Sequence, residues 1–144
     1  MAVAATFLAG AASRLLPPSI PFRFFGAAVT FHVVAWLAAM AGAGQVPAFA
    51  GGLGWPLAAL HAVTLGVLAM TAIGASLQLF PVATRRPIAH AWLAGAVFWA
   101  YVPGVAAVVV GMGLPSPALL GVGAVAVAVA LVVFVVLFAL NLSG

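Results

Sequence analysis

Hydrophobic positions in this chain come in long blocks, not in an alternating pattern. Four stretches run roughly from 22 to 43, 56 to 80, 88 to 112 and 117 to 140 with few polar interruptions. None shows the two-residue alternation of a half-buried strand, and none keeps a polar stripe at helical spacing. A helix that is apolar all round needs an apolar solvent on every side. About 20 such residues cross the hydrocarbon of a bilayer, so each block is long enough for one membrane span. The pattern predicts an all-α, integral membrane four-helix bundle forming a single domain over residues 1–144.

Prolines and glycines punctuate the blocks. "RLLPPSIPFRFF" (14–25) carries Pro17, Pro18 and Pro21 and predicts that the first helix begins only after them. Residues 1–19 then form a short peripheral segment, and its first positive charge follows the apolar start, unlike a cleaved leader. "GAGQVPAFAGGLGW" (42–55) reads as a turn region, and Pro56 suits the first turn of the second helix. Pro81 and Pro87 bracket a short loop containing Arg85 and Arg86. Pro103 predicts a kink in the third span, and "GMGLPSP" (111–117) is the last turn. The fourth span, nearly all Ala, Val, Leu and Phe, predicts a surface against lipid or a partner.

Composition sharpens the picture. Hydrophobic residues make up 68% of the 144 and charged residues 3%, against about 25% charged in an ordinary globular chain. The chain has no Asp, no Glu and no Cys. That removes paired-carboxylate hydrolysis, carboxylate-bound Mg or Ca, iron–sulfur clusters, thiolate zinc and cysteine nucleophiles. It also removes the intramembrane carboxylates that proton-coupled transporters use. The net charge of +4 is Arg14, Arg23, Arg85 and Arg86, too few and too dispersed for a nucleic-acid surface. With four spans all four arginines fall on one side of the membrane. The positive-inside rule then places both termini in the cytoplasm, as for a multi-pass protein of a bacterial cytoplasmic (inner) membrane.

Three histidines remain as candidate chemistry. His61 stands about five residues inside the second span, roughly 8 Å below its outer end at a helical rise. His32 lies roughly 16 Å deep by the same rise. With neighbouring helices about 8–10 Å apart, their backbones are expected about 12 Å from each other, a reach over which two imidazoles can address one metal. His90 enters from the opposite end, roughly 20 Å or more from His61, and is a weaker candidate. One alternative is purely structural: an intramembrane His bonded to a backbone carbonyl. The other is metal binding, since no acid exists to pair with a charged ring. Two His do not complete a zinc or copper site, but two axial His do complete a haem, whose macrocycle supplies four nitrogens. Thr64, Leu65 and Leu68 follow His61 along one face, and Trp36 lies one turn from His32, so these four are the expected cofactor-lining residues. No catalytic residue is identifiable.

"HAVTLGVLAMTAIGASLQLFPV" (61–82) resembles the second transmembrane helix of haem–copper oxidase subunit I, through His61, Met70, Ile73, Gly74, Leu79 and Pro81. "PFRFF" (21–25) is similar to the entry segment of the NnrS family and other small oxidase-like membrane proteins. The resemblance spans about residues 20–82. It implies haem b, with His61 as an axial ligand to a low-spin iron. The oxidase subunit has many more spans, and its second low-spin ligand, copper-binding His cluster, cross-linked Tyr motif and acidic proton channels have no counterpart here. Oxygen reduction and proton pumping are therefore not implied. The second ligand is either His32, from the depth argument, or His61 of a second subunit in a homo-oligomer, a dimer or trimer.

The expected function is that of a membrane haem b protein in electron transfer, or in redox chemistry linked to nitric oxide or oxygen, working with a redox partner. An oxidoreductase activity is left open. Two other classes stand beside it: a non-catalytic accessory or assembly subunit, and a small passive channel lined by His and Gln78.

Overall fold

A computed structural model describes Gly10 and residues 14–143 of the chain, and those residues are all helix, turn and loop with no strand. The peripheral segment expected over 1–19 lies mostly outside them. Four helices are long and apolar enough to cross a membrane: α1 Ser19–Ala41, α2 Trp55–Thr84, α3 Trp92–Gly113 and α4 Pro117–Ser143. The expected all-α architecture is present, and its four long apolar helices fit a multi-pass membrane protein. A short 3-10 helix, Ala43–Ala48, follows α1 and contains Pro47.

Boundaries moved where proline sits near a helix end. α1 starts at Ser19 and includes Pro21, buried in its first turn. The first N–H groups of a helix have no intrahelical partner, so a proline there costs no hydrogen bond. α2 does not stop before Pro81 but runs through it to Thr84. Its stop is made by the backbone of Arg85, which is left-handed at φ 57°. The Arg85 N–H donates to Val82 O at 3.3 Å and the Arg86 N–H to Pro81 O at 3.2 Å, the two-bond closure that ends many helices. Pro103 lies inside α3 without ending it.

Helix packing rests on small residues, as it must where lipid removes the hydrophobic drive between helices. α3 and α4 form the most extensive pair. There a Cβ on Gly123 would stand 2.7 Å from Val108 N and 2.8 Å from Gly104 O. α1 crosses α2 at Gly66 and Gly74: Phe31 lies on the first, Phe24 and Phe25 on the second. The core is completed by Phe24, Phe31, Met70, Ile73, Leu77, Val97, Tyr101 and Val105, all buried. At the other end of the bundle from the arginines, the Trp55 ring covers Gly113 closely, which ties the start of α2 to the end of α3.

The middle of α2 departs from α-geometry. Ala62–Ala69 is π-helical, flanked by α-helical Trp55–His61 and Met70–Thr84. Such stretches are rare, short, and frequent at functional sites. This one begins at the residue after His61. Inside it, the fully buried Tyr101 hydroxyl of α3 donates to Leu65 O at 3.2 Å. A buried hydroxyl needs a partner, and a π-turn displaces carbonyls from the regular ladder, so each group answers the other.

Candidate functional site around His61

His61 is half-buried on α2. Its Nδ1 lies 3.0 Å from Leu57 O, one turn back. A carbonyl only accepts, so Nδ1 carries a proton, and in the neutral ring Nε2 bears the lone pair. Nε2 makes no hydrogen bond among the described residues. A neutral ring held through Nδ1–H on a backbone carbonyl, with Nε2 open, is the arrangement in which imidazole ligates a metal. The carbonyl-bonded His of the structural alternative is thus also present, but that bond uses one ring nitrogen and leaves the other.

His32 is placed differently. It is exposed, and its Nε2 accepts the indole N–H of Trp36 at 3.1 Å. The two rings meet edge to face at 6.3 Å. Both line a groove of about 310 Å³ between α1 and α2, with Ala35, Ala39, Pro56, Ala59, Leu60 and Val63. His61 is not part of that lining. At 100° per residue His61 points roughly 140° away round α2 from the Pro56/Ala59/Leu60/Val63 face. The depth argument brings the two histidines to neighbouring levels, but the helix phase turns them to opposite sides.

The remaining expected residues divide. Leu65 is half-buried with its carbonyl on Tyr101, while Thr64 and Leu68 are exposed beside the His61 flank. Thr64 spends its hydroxyl on Leu60 O at 3.0 Å. His90 is not in the third span. It is exposed in the turn before α3, left-handed at φ 55°, and its carbonyl accepts the Leu93 N–H at 2.8 Å. Gln78 leaves its side-chain oxygen buried without a partner among the described residues, about 25 Å along α2 from His61 at helical rise. Among the described residues, no three His, Cys, Asp or Glu are grouped to hold a metal ion. Any metal here must therefore bring most of its own ligands, as a porphyrin iron does.

Sequence reading passed over Asn141. It sits in the last turn of α4, 6% exposed. Its Nδ2 donates to Pro87 O at 2.8 Å, and its Oδ1 stands 3.3 Å from the Thr84 hydroxyl. The signal was available: an amide alone in an apolar helix, level with the Arg85–Pro87 loop. Compared with known proteins, the chain matches no family model, no curated protein and no solved structure.

Proposed function

We propose that the chain is a multi-pass protein of the bacterial cytoplasmic membrane that holds haem b through His61, and serves electron transfer or nitric oxide- or oxygen-linked redox chemistry. The observation that carries the reading is the oriented Nε2 of His61, unbonded among the described residues, on a helix apolar enough to cross a membrane in a chain without a single acid. Haem supplies a redox-active iron with four ligands of its own. The protein's part is an axial nitrogen, fixed in tautomer and direction by Leu57 O, and an apolar flank made by Leu57, Leu65 and Leu68.

For the second axial position, the opposed faces of His32 and His61 favour His61 of a second copy over His32 of the same chain. His32 would also have to release Trp36. Thr64 and Leu68 are exposed beside His61 along α2, so that side of the helix is open to a neighbouring copy. Two imidazoles on one iron suit electron transfer; one imidazole and an open position suit a gas ligand.

The test is the visible spectrum of the protein purified in mild detergent, oxidised and reduced, with the haem-to-chain ratio. A sharp reduced α band with one haem per two chains supports the shared site. One haem per chain with both axial nitrogens from histidine supports His32. A colourless protein that stays colourless when haem is supplied favours the accessory-subunit reading.

A further inference from the structure

All four arginines stand at one end of the bundle. Arg14 and Arg23 precede or open α1, and Arg85 and Arg86 link α2 to α3. Two helix N-termini and two C-termini meet at that end, so their partial charges of about half a unit each largely cancel. What is left is the arginine charge, and the chain has no acidic side chain to neutralise it. Arg23 is occupied: its guanidinium lies 5.6 Å over the Phe98 ring, and its Nε donates to Ser19 O at 3.3 Å. Arg85 and Arg86 are exposed. Among the described residues Arg86 has one long bond, Nη1 to Leu142 O at 3.4 Å, which uses one of its five donors.

A small cavity of about 220 Å³ opens beside this arginine, lined by Thr84, Arg86, Asn141 and Leu142. It is built, not incidental. Asn141, more than nine-tenths buried, clamps the loop through Pro87 O and faces the Thr84 hydroxyl. Arg85 holds the left-handed position that ends α2, where glycine is the usual residue because a side chain there is strained. Strain kept at one residue points to a use for its side chain. Here it puts a second exposed arginine next to Arg86 in the chain.

We propose that this cavity and the Arg85–Arg86 pair form a binding site for a phosphate group, as carried by the headgroup of an anionic lipid. Arg86 supplies the forked N–H donors that match phosphate oxygens, and Arg85 the added positive field. Asn141 fixes the loop that carries both, through Pro87 O. The site is independent of any haem.

The test uses the full chain in mild detergent, with Tm read against added phosphatidylglycerol, phosphatidylcholine, or sodium phosphate at matched ionic strength. Phosphatidylglycerol is expected to raise Tm by about 5 °C at saturation, and phosphatidylcholine not to. In R85G/R86Q the half-saturating phosphatidylglycerol concentration rises about 25-fold, from roughly a fivefold effect per arginine at a charged membrane face. Arg85→Gly relieves backbone strain, so this variant folds without lipid, and R14Q keeps the wild-type response. A Tm rise from inorganic phosphate that is likewise lost in R85G/R86Q supports the phosphate site and makes the free anion its ligand. Equal responses to the two lipids, an unchanged response in R85G/R86Q, or an equal loss in R14Q would overturn the proposal.

Discussion

Gly66 is the narrowest point between α1 and α2, and replacing it by alanine tests the packing that positions His61. A Cβ at residue 66 would stand 2.5 Å from Phe31 Cγ, 2.6 Å from Phe31 Cβ and 2.8 Å from Phe31 Cδ1. Ordinary carbon contacts are at about 3.5–4.0 Å, so one of the two helices must move by about an ångström. Phe31 is 6% exposed and its Cβ is fixed to the α1 backbone, so rotation of the ring cannot relieve the contact. Overpacking of this kind costs about 1–3 kcal/mol, which lowers Tm by about 3–12 °C for a chain of this length. The assay is a double-mutant cycle on thermal unfolding in one detergent. Gly66→Ala is costly alone and nearly neutral in a Phe31→Gly background, which removes the Cβ as well as the ring, a coupling of about 1–3 kcal/mol. If Gly66→Ala cost as much with Phe31 absent, the loss would lie in the π-helical backbone and not in the α1–α2 contact.

Three further substitutions follow from single bonds. Tyr101→Phe removes the donor to Leu65 O and is expected to cost about 0.5–1.5 kcal/mol, read as a lower Tm. Faster hydrogen exchange over 62–69 should accompany it, while unchanged exchange there would separate Tyr101 from the π-segment. Asn141→Ala leaves Pro87 O without its donor and is expected to cost about 1–3 kcal/mol. Proteolysis in the 85–91 loop should rise with it, and a loop no more susceptible than before would refute the clamp. His32→Ala is expected to leave the haem-to-chain ratio and the absorption bands unchanged, since His32 faces the other groove; loss of the pigment would restore it as the second ligand.

The number and place of the spans were legible because uninterrupted apolar blocks admit one reading, and because a chain with no acid has few alternatives. Helix ends were less so. Pro21 and Pro81 look like breaks in sequence, yet one falls where no backbone donor is needed and the other is carried within a buried helix. The π-helical turn after His61 has no local signature in "AVTLGVLA"; it comes from how Gly66 meets Phe31 and Leu65 O meets Tyr101, contacts 35 or more positions apart. For the candidate site, rise along the helix gave the depths of His32 and His61, but rotation decides which groove each faces. The small residues Ala58, Ala62 and Gly66, all buried, mark the inner face of α2 and would have shown His61 turned away from Ala59 and Val63. Asn141 was legible as a lone amide in an apolar run, but its partners Pro87 and Thr84 lie 54 and 57 positions away.

The central claim is that the open Nε2 of His61 ligates haem iron. Its most direct test is a haem titration of wild type and His61→Ala in the same detergent, with Tm confirming that both are folded. The account predicts a saturating b-type spectrum for wild type and none for the variant. A folded His61→Ala protein that takes up haem with the same bands and the same stoichiometry would contradict it.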